Sequence, residues 1–352
     1  MSAGTPEIAG QRPDAPPMPA DGSWSEVADG IWCINLPVPF TGLRQVNLWL
    51  MRDGPGWLMV DCGWANADSR AQIEAAWSDI LGGRPVTRLL ISHFHPDHMG
   101  NCRWIAERWG LTPLVPRTEW LSAQLGMKLL FIDDLDNQSA FFARHGLTEG
   151  HVARYREEFI LYDRGVELSD GHFRIRDGDW LTIDGAKWQV ITGEGHSPEL
   201  ATLYCPDRGI YISGDQVLPK ISSNIGVPHW EPMAQPLEEF LGSLDRIASK
   251  VSRSALVLPS HRWPFYDAAA RVRELHEHHE QRLDTLCTHF QPGAEFSAGE
   301  CMEVLFSPKI DGMQVGFAVA EVIAHLNYLA TRGRLEMNRR DDGSVRFRSI
   351  PS

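Results

Sequence analysis

Four strong metal-ligand side chains fall within six positions: His93, His95, Asp97 and His98, in the segment SHFHPDHMGN. Imidazole and carboxylate ligands suit zinc, iron or manganese. His93 and His95 are two apart, so their rings can point the same way from a loop. Pro96 sets a bend, beyond which Asp97 and His98 can point to a second location nearby. Four such ligands do not fit comfortably around one tetrahedral ion, and the spacing suggests two metal ions side by side. A purely structural role, with His93 and His98 capping or hydrogen-bonding, accounts poorly for this density. Gly100 relieves crowding as the next helix begins. Three later residues share one context, an apolar run, then a small residue, then a ligand: His196 in GEGHS, Asp215 in YISGDQ and His261 in LVLPSH. Each alone reads as an ordinary loop histidine or turn aspartate; the repetition makes them candidates.

The elements that must position these residues are visible in the pattern. EVADGIWCINLPV and QVNLWLMRDGPGWLMVDCG read as strands with a turn at 53–56. Residues 66–80 have helical spacing, and VTRLLISH is a short buried strand running into the histidine cluster. A helix over 99–109, the strand TPLVP and a further helix from Glu119 follow. Residues of about 127–165 are helical in character and read as an insertion. Strands resume with HFRIRDGDWLTI, KWQVITGEGHS, ATLYCPD and GIYISGDQV, then a helix over 237–250 and the strand SALVLPSH. After His261 come a long helix, the amphipathic stretch VGFAVAEVIAHLNYLATRGRLE and a hairpin at Asp342–Gly343. His276, His278 and His279 read as a solvated helix face, and His325 and Asn327 as caps or packing residues.

The 352 residues, 43% hydrophobic and 22% charged, are enough for one large domain or two smaller ones. The net charge of −13 argues against a general nucleic-acid binder, which needs clustered Lys and Arg. No apolar run approaches the roughly 20 residues that span a bilayer. The start is rich in Pro, Gly and Ala and reads as a disordered arm over 1–24 rather than a signal peptide. Six scattered cysteines without a C-x-x-C pair read as reduced thiols, and a cytoplasmic protein is expected.

His93-x-His95-x-Asp97-His98, then His196, Asp215 and His261 in this order, resembles the metallo-β-lactamase-fold hydrolases. The likeness is closer to the glyoxalase II and thioesterase-like branch, because Asp215 stands where class B β-lactamases usually carry a cysteine. It covers about residues 25–265 and implies an α+β fold, an αββα sandwich with the site at one edge of two packed sheets. It also implies two divalent transition metals, zinc first and iron or manganese as alternatives. By the family pattern His93, His95 and His196 would hold one, Asp97, His98 and His261 the other, and Asp215 would bridge them. Asp61, in MVDCG, matches a family aspartate that supports the site. Where the family often has PGHTPG this chain has GEGHSPEL, so the loop after His196 departs from the pattern. Residues 266–352 resemble the winged-helix extension attached to some of these hydrolases.

The reading that follows is a dinuclear hydrolase in which a metal-bridging hydroxide attacks a hydrophobic carboxylic ester, lactone or thioester, with Asp97 orienting the nucleophile and handling its proton. A small-molecule substrate is expected, with neither nucleic acid nor membrane as partner, and a homodimer is left open. Phe131 and Phe142 of the insertion and Trp230 and Met233 of the loop after Asp215 are candidate walls of the substrate pocket. The alternative is a mononuclear iron oxygenase-like enzyme or a ligand sensor of the same fold; a phosphodiesterase or a β-lactamase ranks below both.

Overall fold

Seven strands form a first sheet in chain order: β1 (Trp24–Ala28), β2 (Ile31–Pro37), β3 (Gln45–Asp53), β4 (Gly56–Val60), β5 (Val86–Leu90), β6 (Leu114–Pro116) and β7 (Phe173–Ile175). The computed structural model describes residues 15–39, 43–129, 133–162, 165–291, 293–306, 309–310 and 312–350. The first three pairings are antiparallel, and from β4 onward the strands run parallel. Helix α1 (Ala67–Ile80) connects β4 to β5 and is capped by Asn66, whose side chain accepts from the Ser69 amide at 2.7 Å. The short α2 (Pro96–Met99) and α3 (Cys102–Trp109) follow β5.

A second sheet has the order β13-β12-β11-β10-β9-β8, with β8 (Trp180–Ile183), β9 (Ala186–Gly193), β10 (Leu200–Cys205), β11 (Ile210–Gly214), β12 (Leu256–Pro259) and β13 (Phe265–Tyr266). HFRIRDGDWLTI reads as one strand but is divided between the sheets: β7 closes the first and β8 opens the second. The turn at Asp177–Gly178, with Gly178 at φ +82°, turns the chain out of one sheet before it enters the other. Trp49, Leu58, Val60 and Leu90 of the first sheet and Trp188, Val190, Leu203, Ile212 and Leu258 of the second belong to one buried cluster, the core of the sandwich. β4, β10, β11 and β12 are buried at every position, as strands covered on both faces must be.

The chain divides into two compact units. The first, Met1–Gln124, Arg164–Ser223 and Ser243–Glu274, contains both sheets. The second, Leu125–Asp163, Asn224–Gly242 and Leu275–Ser352, joins the expected insertion to the C-terminal part. Within it α10 (Met313–Thr331) packs against α6 (Glu149–Tyr162), α5 (Asp133–Arg144) and α9 (Ala298–Leu305). A sheet of order β14-β16-β15 completes it, from β14 (Glu295–Phe296), β15 (Leu335–Arg339) and β16 (Val345–Ser349). The insertion is therefore part of a helical core shared with the C-terminal segment. α10 is not the amphipathic helix its sequence suggests: Glu321, His325 and Asn327 on it are buried along with its apolar residues. α7 (Pro236–Lys250) and α8 (Ala268–His289) carry the chain from one unit into the other. No helix among the described residues is long and apolar enough to cross a membrane.

Candidate metal centre

β4, β5, β9, β11 and β12 end at one edge of the sandwich, and each releases a candidate residue there. Asp61 follows β4, His93 follows β5, His196 follows β9, Asp215 follows β11 and His261 follows β12. His95 stands just before α2, and Asp97 and His98 lie in it. A Cβ on Gly100 would come within 2.4 to 2.5 Å of the carbonyl oxygens of Gly63, Pro96 and Gly165, so only glycine lets the turn after His98 lie this close to its neighbours.

His93 Nε2 stands 3.0 Å from His95 Nδ1 and 3.3 Å from His196 Nε2. Ligands about 2.0–2.1 Å from a tetrahedral ion lie about 3.3 Å apart, so this trio has the dimensions of a cation site. A second group, Asp97, His98 and His261, adjoins it. His261 Nε2 is 3.5 Å from Asp97 Oδ2, and His98 Nε2 is 3.6 Å from the same oxygen. Asp215 faces both groups: its Oδ2 is 3.5 Å from His196 Nε2 and 3.2 Å from His261 Nε2, and its Oδ1 is 3.6 Å from His98 Nε2. The seven candidates thus share one location.

The outward nitrogens are fixed by hydrogen bonds. Asp61, at φ +62°, accepts from the Ser92 amide at 2.7 Å, from Ser92 Oγ at 2.8 Å and from His98 Nδ1 at 2.8 Å. With its proton given to Asp61, Ser92 Oγ accepts from His93 Nδ1 at 3.0 Å. His261 Nδ1 donates to the Gln45 carbonyl at 2.6 Å. These contacts leave the Nε2 of His93, His98 and His261 as a bare acceptor pointing inward. His98 Nε2, His261 Nε2 and Asp215 Oδ1 are buried without a hydrogen-bond partner among the described residues. Converging acceptors with no donor between them repel unless a cation lies among them, so the donor set fits divalent transition metals.

The electrostatics divide the cluster. Burial first, then the neighbouring imidazoles, holds His93 and His95 well below the ordinary histidine range, so both stay neutral and able to ligate. Burial also lowers His98, but Asp97, Asp215 and Asp61 together outweigh it and hold the ring above its usual value, and Asp215 and Asp97 do the same for His261; the carboxylates thus favour positive charge at both rings, which a cation on Nε2 would supply in place of a proton. Burial raises Asp215, yet His261 and His98 outweigh it and keep the carboxyl well below its usual range.

Three contributors escape the sequence reading. Glu119, fully buried, accepts from the Phe94 amide at 3.0 Å, from Ser197 Oγ at 2.8 Å and from the Glu199 amide at 2.6 Å. It thereby ties the loop of His93 and His95 to the loop after His196, where the chain departs from the family pattern. Asn47 donates to the Pro259 carbonyl at 2.8 Å and the Arg262 carbonyl at 2.9 Å, clamping the chain around His261. Asn35, its cross-strand partner, donates to Asn47 Oδ1 at 2.8 Å. The available signal was an asparagine set within the apolar run of each of two strands.

Of the expected pocket residues, Phe142, Trp230 and Met233 belong to the second unit. Phe131 lies outside the described residues. Phe142 is buried, its ring edge-on to Tyr155 at 5.3 Å, and packs that unit. Trp230 and Met233 are 65% and 50% exposed. His279 is not on a solvated face: it is fully buried, and its Nδ1 donates to His325 Nε2 at 3.1 Å.

Residues 41–261 match the model of the metallo-β-lactamase superfamily, and residues 283–350 that of a metallo-β-lactamase-like C-terminal domain. A β-lactamase domain protein from Burkholderia ambifaria is 36% identical, with TM-score 0.85 and 96% of each chain covered. A metallo-β-lactamase family protein from Thermus thermophilus is 27% identical, with TM-score 0.77, covering 92% of this chain and 100% of that one. The lactamase-like protein vrtG of Penicillium aethiopicum is 21% identical over 317 residues, 90% of this chain and 78% of its own length.

Proposed function

Given that the chain belongs to the metallo-β-lactamase superfamily, we propose that it is a dinuclear metallohydrolase acting on a hydrophobic carboxylic ester, lactone or thioester. The observation that carries this reading is the convergence of seven nitrogen and oxygen ligands in two adjoining groups with Asp215 facing both. In it, His93, His95 and His196 hold one ion and Asp97, His98 and His261 the other, with Zn first and Fe or Mn as alternatives. When bound, the ions supply Lewis acidity and lower the pKa of water into the neutral range. Asp61, Ser92 and the Gln45 carbonyl orient the imidazoles. Asp97, whose carboxylate lies among the second group, accepts the proton of the attacking water and returns it to the leaving oxygen or sulfur. A carboxylate at position 215 supports the glyoxalase II and thioesterase-like branch over the class B β-lactamases.

The order α8, β14, α9, α10, β15, β16 supports a winged-helix-like reading of the C-terminal part. Its balance of 10 Lys+Arg against 13 Asp+Glu from Phe265 onward supports a packing role without nucleic acid. All six cysteines are free thiols, which supports a cytoplasmic protein.

Elemental analysis of the purified chain, run beside a panel of thioester, lactone, ester and phosphodiester substrates, tests the reading. About two transition ions per chain and turnover of an acyl substrate are expected. One tightly held iron that survives loss of Asp97 and His261 would replace it with the oxygenase-like alternative.

A further inference from the structure

Next to His261 the first unit contains a cavity of about 400 Å³, within the range that holds a small ligand. Gln45, whose carbonyl orients His261, and Arg262, the next residue in the chain, are both on its wall. Met18, Leu43 and Trp263 give it apolar sides, and Arg44 stands on the rim with Asp21.

Arg262 is not placed there by an easy backbone. Its φ of +70° is in the left-handed region, which a non-glycine residue enters only when its surroundings impose it. Asn47 is what imposes it, through bonds to the carbonyls of Pro259 and of Arg262 itself. The strain swings the side chain of a residue adjoining a candidate ligand onto the wall of a cavity. Neither Arg44 nor Arg262 has an ion-pair partner among the described residues. Arg262 Nε and the Trp263 indole nitrogen are buried donors without an acceptor among them. Two such donors on one cavity wall, beside two guanidiniums without an ion-pair partner, suit a ligand that supplies oxygen atoms.

We infer that this cavity binds a carboxylate borne by the substrate, remote from the bond that is cleaved: a guanidinium takes the carboxylate, and Met18, Leu43 and Trp263 take the aliphatic chain that joins it to the scissile ester, lactone or thioester. This rests on the hydrolase reading above. The charge count sets the class. Two guanidiniums against the single carboxylate of Asp21 leave a net of one positive charge, suited to one carboxylate and not to the several phosphates of a coenzyme A tail.

Paired substrates test it: the mono-p-nitrophenyl ester of adipic acid and the same ester with its far carboxyl methylated. Each is measured with the metal-loaded wild type, Arg44→Gln and Arg262→Gln. Calorimetry with monomethyl adipate and dimethyl adipate gives a readout that needs no turnover. Arg44 is solvent-exposed, so its variant keeps the test open if Arg262→Gln fails to fold. The wild type is expected to prefer the free acid by about 10- to 100-fold in kcat/KM, through KM, the scale of one charged hydrogen bond. Each arginine variant should lose most of that preference. No preference in the wild type, or one that survives both substitutions because the carboxylate sits on the metals, overturns the subsite. If neither ester is cleaved but monomethyl adipate binds in an arginine-dependent way, the subsite stands and the substrate panel above decides the hydrolase reading. If neither is cleaved and no such binding is seen, the subsite falls, whatever the panel gives.

Discussion

Two carboxylates at the metal centre have separable duties, which substitution distinguishes. Asp97 lies among the second ligand group, 3.5 Å from His261 Nε2. Asp97→Asn keeps the shape but would remove the proposed proton acceptor, and kcat should then fall by ~10²-fold or more with a small change in KM. Steady-state kinetics on protein of measured metal content decides this; unchanged kcat with both ions present would remove the proton role. Glu119 touches no candidate ligand side chain, yet it joins the two loops that carry the first trio. Burial pushes its carboxyl up to about 7 while the three donors around it favour the charged form. Glu119→Gln turns an NH₂ toward one of those donors, so one loop loses its anchor. The first trio should then hold its ion about 10-fold more weakly, the lower end for residues supporting a ligand. Chelator competition measures this, and wild-type affinity in the variant would make Glu119 a core residue only.

The elements most legible in the sequence were those whose cause is local. Apolar runs ended by Gly, Pro or Asp gave β2 to β4 and β9 to β12, the histidine cluster ended β5, and Asn66 marked the start of α1. What escaped depended on partners far away in the chain. Asn47 reaches Pro259, 212 residues on, and nothing near it announces that bond. α10 read as amphipathic because Glu321, His325 and Asn327 look like a polar face. In the folded unit Glu321 pairs with Arg282 at 2.5 Å, His325 accepts from His279 and Asn327 donates to the Pro232 carbonyl. The relay continues from His325 Nδ1 to the Glu321 carbonyl at 2.8 Å. These helices carry a pH dependence. Burial first, with the neighbouring imidazoles and Arg282 adding to it, lowers His279 to about 2; burial, with Arg282 adding, lowers His325 to about 4. The unfolded chain therefore takes up these protons first, from about pH 6.5 downward, and the stability the two neutral rings contribute declines on acidification. Glu321 acts oppositely: burial raises it from 4.5 to about 7, so between those values the folded state gains a proton first and offsets part of the loss. Below about pH 4.5 the histidines act unopposed. The melting temperature of the second unit should fall less steeply from pH 4.5 to pH 3 in His279→Gln than in the wild type; parallel slopes would show that the relay does not titrate on unfolding.

For the molecule as a whole, the acidic balance of the C-terminal part predicts no salt-sensitive, sub-micromolar binding to duplex DNA, and a mobility-shift assay checks it. The metal centre has a different whole-molecule meaning. His93, His95, Asp97 and His98 leave the first sheet, whereas His196, Asp215 and His261 leave the second, and the outermost pair, 93 and 261, are 168 positions apart. No short stretch of chain can assemble such a cage, so it comes into being only when the two sheets have docked, late in a search dominated by distant pairings. A cation captured there clasps the sandwich shut: it binds the native arrangement alone, and its affinity is added to the cohesion of the two sheets. Chelator-treated protein should regain strand signal on dilution from denaturant at the same rate as in the presence of zinc, but should come apart again much faster.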